Sequence, residues 1–250
     1  MLSRRGVAVV TGGSRGIGAA TARLLAARGW DVCLGYRRDA ASAAVVVAQC
    51  EAAGARTVAV PGDVASAEDV AALFAGADAL GRLDVLVSNA GIVAPMARVD
   101  ELDPQRIERI LAVNVTGAFL CAREAVRRMS TRHGGTGGAI VYVSSAAARL
   151  GSAGEYVDYA ASKGAVDTLT VGLAREVADE GIRVNAVRPG LIETDIHASG
   201  GRPDRTEQLR TGVPMQRPGT ADEVAAAIAW LCSDEAGYTT AALVDVSGGR

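Results

Sequence analysis

Strand-length apolar runs alternate with helix-length segments along the whole 250-residue chain, and no other feature narrows its fold as much. The runs are Val7 to Val10, Asp31 to Tyr36, Thr57 to Val60, Leu83 to Ser88, Ala139 to Ser144, Arg183 to Val187 and Leu243 to Val246. Between them lie segments of helical character: Gly16 to Arg28, Ala40 to Ala53, Ala67 to Leu80, about Pro104 to Met129, about Asp158 to Glu180, and Ala221 to Cys232. Strands joined by helical crossovers pair in parallel, and a parallel sheet must be covered on both faces. The expectation is an α/β chain, doubly wound, with about seven parallel strands and residues 1–250 in one domain. The least regular stretch, about 194–219, reads as a lid or binding loop. Arg132 to Gly138, which contains His133, reads as a surface turn.

Composition removes several function classes. Hydrophobic residues make up 49% of the chain and charged residues 22%, which suits a packed core and excludes a disordered polyelectrolyte. A net charge of -2 with no basic block argues against nucleic-acid binding. No apolar run reaches the ~18 residues of a membrane span. The first residues lead directly into a strand-like run, so no signal peptide is expected. Cys33, Cys50, Cys121 and Cys232 are widely separated and show no metal-ligand spacing. They read as buried free thiols in a reducing cytoplasm, with no metal site.

Three motifs carry chemistry. Thr11-Gly12-Gly13-Ser14-Arg15-Gly16-Ile17-Gly18 follows the first strand and opens the first helix. There a Gly-rich turn lets a dinucleotide pyrophosphate approach the backbone and the free N–H groups of the helix start. The end of the second strand reads Gly35-Tyr36-Arg37-Arg38, with no acid before Asp39. A carboxylate there would bind a ribose 2′-OH; Arg37 and Arg38, with Arg15, instead suit a 2′-phosphate. NADP(H) is therefore favoured, with NAD(H) as the alternative.

The third motif is Tyr159-Ala160-Ala161-Ser162-Lys163. Residues four apart share a helix face, so ring and ammonium point into one site. A nearby cation lowers the phenol pKa from its usual value of about 10. Of the 26 Lys and Arg residues, Lys163 is the single Lys, which leaves 25 Arg. A position that keeps a compact ammonium in such a chain needs the smaller donor.

In this ordered set the chain resembles the short-chain dehydrogenase/reductase (SDR) family over essentially its whole length. The set comprises residues 11–18, Asp63-Val64, Ser88-Asn89-Ala90-Gly91, Asn114, Ser144-Ser145, Tyr159 to Lys163, and Pro189-Gly190 with Thr194. The nearest-looking subgroup holds 3-oxoacyl-carrier-protein reductases and glucose dehydrogenase-like oxidoreductases. The resemblance implies a Rossmann-type domain that moves a hydride between nicotinamide and a carbonyl or secondary alcohol. It implies Tyr159 as general acid/base, Lys163 lowering its pKa and bonding the nicotinamide ribose, and Ser145 polarising the carbonyl. Asn114 would hold a water between Lys163 and solvent. Asp63 and Val64 would flank the adenine, and Asn89, Ala90 and Gly91 the ribose. Pro189, Gly190, Ile192 and Thr194 would hold the nicotinamide end, and Gly12, Ser14, Arg15, Gly16, Ile17 and Gly18 the pyrophosphate.

The chain departs from the family pattern at Ser88, where Asn is usual. The 14-residue gap from Ser145 to Tyr159 is about one longer than common, which suggests an insertion within Arg149 to Val157 and keeps Ser144 beside Ser145 as a candidate. Tyr156 reads as a pocket or core residue. Specificity is expected in Val93 to Leu102, in Arg149 to Val157 and in the lid, which carries His197, Arg202, Arg205 and Arg210. Family likeness implies a homotetramer acting on a small molecule, without nucleic acid or membrane. The alternatives are an NAD-dependent sugar or alcohol dehydrogenase, and a non-enzymatic dinucleotide-binding sensor or scaffold.

Overall fold

The computed structural model describes residues 5–194 and 208–250. Seven parallel strands form one sheet: β1 (Val7–Thr11), β2 (Asp31–Tyr36), β3 (Thr57–Pro61), β4 (Leu83–Ser88), β5 (Gly138–Val143), β6 (Ile182–Pro189) and β7 (Leu243–Val246). Their order is β3-β2-β1-β4-β5-β6-β7. The chain winds outward in one direction from β1 and in the other from β4. The two halves leave a crevice above the carboxyl ends of β1 and β4.

The helices are α1 (Gly16–Ala27), α2 (Ala40–Ala52), α3 (Ala67–Leu80), α4 (Pro104–Leu111), α5 (Gly117–Met129), α6 (Ala147–Leu150), α7 (Val157–Val177) and α8 (Ala221–Leu231). One apolar cluster includes Val10, Leu25, Val32, Leu34 and Ile228; another includes Val9, Leu73, Phe74, Leu86 and Ile140. Alternate residues of a strand face opposite sides of the sheet, so neighbours such as Val9 and Val10 serve different clusters. This is why the strands are apolar throughout.

Side-chain caps set four of these eight helix starts. Asp39 accepts from the Ser42 N–H at α2, Ser66 from Asp69 at α3, Asp103 from Arg106 at α4, and Thr220 from Glu223 at α8. Pro104 follows the α4 cap, where its missing N–H does no harm. By contrast, α1 has no side-chain cap, and its first N–H groups face the crevice.

The long helix expected from Pro104 to Met129 is divided. Between α4 and α5 the chain forms a π-turn, Ala112–Thr116. Such a turn adds a residue without ending the helix, a change that an apolar period does not reveal. The short helix α6, not expected, fills part of the stretch after β5. Most of the lid, residues 195–207, lies outside the described residues, and with it His197, Arg202 and Arg205. The base of the lid is fixed by Glu193 N–H donating to the Gly219 carbonyl (2.9 Å) and Gly219 N–H to the Leu191 carbonyl (2.9 Å). His133 is exposed at the expected turn. All four cysteines are free and buried.

The crevice exists because α1 approaches β1 with no side chain between them. A methyl group at Gly18 would stand 2.2 Å from the Gly12 carbonyl oxygen and 2.5 Å from Asn89 Nδ2. Neither atom is the free end of a flexible chain. Gly18→Ala is expected to destabilise the protein by about 1–3 kcal/mol and to abolish dinucleotide binding. Thermal melts with and without NADPH check both outcomes.

Candidate active site

A cavity of about 850 Å³ runs over the carboxyl ends of the strands, from Arg37 at one end to Tyr156 and Leu191 at the other. Its floor is the Gly-rich turn. Gly12 (φ 63°) and Gly16 (φ 54°) adopt left-handed conformations that disfavour side chains. Asn89 binds this turn to the loop after β4: its Nδ2 donates to the Thr11 (2.9 Å) and Gly12 (3.0 Å) carbonyls. The Thr11 hydroxyl in turn accepts from the N–H groups of Asn89 and Ala90, both at 2.9 Å. Thr194 lies over Gly16, within 3.3 Å of where a Cβ would stand, and a methyl at Gly190 would strike Ser247. Ser14, Ile17, Val64, Gly91, Pro189 and Ile192 also line the cavity. A dinucleotide suits this volume, and the glycine floor admits phosphates that a Cβ would exclude.

Arg15, Arg37 and Arg38 are exposed at the end of the cavity beside β2. Arg37 pairs with Asp63 (Nε to Oδ2, 3.1 Å), and Arg109 donates to the same oxygen. Burial opposes the Asp63 charge, but the Ala65 N–H and the Arg109 and Arg37 guanidinia outweigh it and hold the carboxyl below its usual range. Asp39 is occupied by Ser42, whose N–H (2.9 Å) and hydroxyl (2.7 Å) both donate to it.

At the other end the first turns of α7 meet β5. Ser144 is buried and donates to the Lys163 carbonyl at 3.2 Å. Ser145 lines the cavity beside Tyr159. The Ser144 hydroxyl is committed to the Lys163 carbonyl, whereas that of Ser145 accepts from the Ala147 N–H (3.1 Å). Burial holds the Tyr159 phenol above its usual range, with the Ser145 hydroxyl opposing it only in part, so the lowering expected from Lys163 is not found. The Lys163 ammonium lies 5.7 Å from the centre of the Tyr159 ring and donates to the Val143 carbonyl at 2.7 Å. Burial pushes Lys163 down to about 8, against the opposing pull of Asp167 one turn further along α7. Asp167 itself is held by Arg188 of β6 at 2.8 and 2.9 Å.

Asn114 lies in the π-turn. Its Oδ1 accepts from the Ile92 N–H (2.8 Å), and its Nδ2 donates to the Ile92 carbonyl and the Ser162 hydroxyl, both at 3.0 Å. The side chain thus joins the loop after β4 to α7. Gly91 gives Lys163 its room: a methyl there would lie 3.3 Å from Nζ and 3.4 Å from Asn114 Oδ1. Tyr156 is buried against the cavity.

Comparison with known proteins agrees with this geometry. A family model described as enoyl-(acyl carrier protein) reductase matches residues 12–250. An uncharacterized oxidoreductase of Escherichia coli (strain K12), YgfF, is 53% identical, covering 98% of this chain and 99% of its own. The cis-4-hydroxycyclohexanecarboxylate dehydrogenase of Sinomonas cyclohexanicum is 44% identical, covering 97% and 95%. A crystal structure of a short chain dehydrogenase from Burkholderia cenocepacia J2315, in complex with NADP, superposes with a TM-score of 0.91 at 37% identity, over 100% of this chain and 99% of that one. The chain belongs to the short-chain dehydrogenase/reductase family. It is an SDR oxidoreductase, of a family that acts on alcohol and carbonyl groups with a nicotinamide cofactor.

Several contributors to this SDR site were not singled out in the sequence. Arg109, Arg106, Asp158, Asp167 and Arg188 act through partners far along the chain, and Val143 acts through its carbonyl. Thr11 was visible only as a letter of the glycine motif.

The Lys163 environment has a measurable consequence. Unfolded, the amine holds its proton to about 10.5; folded, it releases it near 8. Between these values the unfolded chain binds more protons, so stability rises with pH. Lys163→Met should remove that rise and, at pH 7, stabilise the fold by about 1–3 kcal/mol. Thermal melts from pH 7 to 10 check both.

Proposed function

We propose that this enzyme is an NADP(H)-dependent oxidoreductase interconverting a small carbonyl compound and its secondary alcohol, with Tyr159 as general acid/base. The observation that carries the reading is that Ser145, Tyr159 and Lys163 converge on one end of a cavity floored by glycine. A pure dinucleotide binder has no use for the serine or the tyrosine. Bound nicotinamide supplies hydride to the carbonyl carbon, or takes it from the alcohol in reverse. Ser145 donates a hydrogen bond to the carbonyl oxygen and polarises it. Tyr159 gives its phenolic proton to that oxygen as it becomes the alcohol, and recovers it in the other direction. Lys163 stabilises the phenolate left behind and would bond the nicotinamide ribose. Asn114 would hold the water through which Lys163 reaches solvent.

The preference for NADP(H) rests on Arg15, Arg37 and Arg38 around the 2′ position and on the engagement of Asp39. Asp39 caps α2 through Ser42, which orients its carboxylate toward that helix. Asp63 and Val64 would flank the adenine, Ala90 and Gly91 the ribose, and Pro189, Gly190, Ile192 and Thr194 the nicotinamide. We take residues 1–250 as one domain with a lid at 194–219, cytoplasmic and homotetrameric. Leu111 and Phe119 are exposed on α4 and α5, and Gly164 and Gly172 leave open space along α7, as close contact between copies requires.

The test is NADPH oxidation over a panel of ketones, aldehydes and sugars, including 4-oxocyclohexanecarboxylate. Tyr159→Phe should abolish turnover while NADPH still binds, and Ser145→Ala should lower kcat by about 10²–10³-fold. Lys163→Arg should be severely impaired, because a guanidinium does not reproduce the position of an ammonium. Active Tyr159→Phe enzyme would refute the acid/base assignment. An inert wild type that binds NADPH would favour the sensor reading.

The cofactor preference is tested separately. Arg37→Ala should weaken NADPH binding by about 10-fold or more and leave NADH binding nearly unchanged. Binding titrations with both cofactors decide it; wild type that binds NADH as well as NADPH would sink the preference.

A further inference from the structure

Arg106, on α4, joins two walls of the cavity, and its partner Asp158 lies 52 residues further along the chain. Its Nε donates to Asp158 Oδ2 (2.7 Å) and its Nη2 to Asp158 Oδ1 (3.2 Å), while Nη1 donates to the Pro95 carbonyl. Both side chains are removed from solvent, at 13% and 3% exposure. Asp158 immediately precedes Tyr159, and its Oδ1 also accepts the Tyr159 N–H (2.9 Å). The N-cap of α7, Tyr156, makes no side-chain capping bond, and within the first turn Asp158 binds the Tyr159 N–H. Pro95 belongs to the irregular loop between β4 and α4, whose Val93 lines the cavity. The same loop is tied a second time to the segment before α7, by the Ala97 N–H to the Glu155 carbonyl (3.0 Å).

From this geometry we infer that Arg106 and Asp158 are positioning residues that fix the distance between the loop wall at 93–97 and the Tyr159 phenol. The pair thereby sets how closely a carbonyl substrate is held to its proton donor. A planar fork binding one carboxylate in two places fixes direction as well as distance, which a lysine does not. Displacements of about 1 Å far from the reacting atoms can change rates about 10²-fold, so a rigid link of this kind acts on turnover. Neither residue reaches the substrate; each acts through the backbone of its neighbour. The inference rests on the assignment of Tyr159 above.

Removing one member alone leaves a buried charge and is strongly destabilising. The informative variant is therefore the double one, Arg106→Met with Asp158→Asn, which removes both charges and keeps an acceptor for the Tyr159 N–H. It is compared with wild type and with Arg106→Lys, using NADPH and 4-oxocyclohexanecarboxylate as probes. The double variant should melt near wild type and bind NADPH with unchanged affinity. Its kcat should fall about 10–100-fold, with KM for the ketone raised. Amide hydrogen exchange should accelerate together in 93–97 and 157–160. Arg106→Lys should recover neither kcat nor exchange protection. A stable double variant with wild-type kcat, KM and exchange in both segments would overturn the inference. If wild type turns over no ketone, the assignment of Tyr159 is what fails; exchange in the NADPH complex then decides the link alone, and unchanged exchange overturns it.

Discussion

The site depends on one constraint: at the place where the sheet changes winding direction, two backbones must come together with nothing between them. Gly18 brings α1 onto the Gly12 carbonyl, and the Asn89 amide takes up that carbonyl and its neighbour, Thr11. Because the same amide belongs to the loop after β4, the glycine turn and the opposite lip of the crevice are one hydrogen-bonded unit. The position of Gly91 follows from it, and with Gly91 the space available to Lys163. A parallel sheet provides the crevice by topology alone. The tie at Asn89 gives that crevice a definite width.

A second layer of order lies in the arginines. Arg37 and Arg109 meet at Asp63, Arg188 grips Asp167 behind Lys163, and Arg106 grips Asp158 before Tyr159. Helix α7 is thus bracketed by two ion pairs, one on either side of the Tyr159–Lys163 turn. Pairs as buried as these add little net stability compared with apolar residues of similar size. Their effect here is directional: each joins α7 to a different neighbour, α4 on one side and β6 on the other.

The sequence made the fold readable because its two periods, strand and helix, are local and recur in seven strand runs and six helical segments. Five of the helices and all seven strands stand within a few residues of the expected places, and the remaining expected helix is divided into α4 and α5. Tyr159, Lys163 and the glycine turn were readable for the same reason, since their geometry is set by spacings of a few residues. The π-turn was not, because the apolar face continues through Ala112–Thr116 and an added residue leaves no mark on it. The ion pairs were not, because Arg106 and Asp158 are 52 residues apart and a chain with 25 arginines offers many equivalent partners. Asp63 was assigned to the adenine by resemblance, and its bonds to Arg37 and Arg109 emerge only once β2, β3 and α4 are brought together.

The single lysine also determines how the protein meets reagents. The other 25 of the 26 Lys and Arg side chains are guanidinia, which keep their charge far into alkaline solution. Lys163 is buried at 4% exposure with its nitrogen bound to a carbonyl. The folded surface therefore presents no ε-amine to acylating dyes, amine-reactive cross-linkers or aldehyde resins. Such reagents find their side-chain target only at the cavity over the strand ends, so covalent loss of the amine there would report on whether the cavity is open or filled.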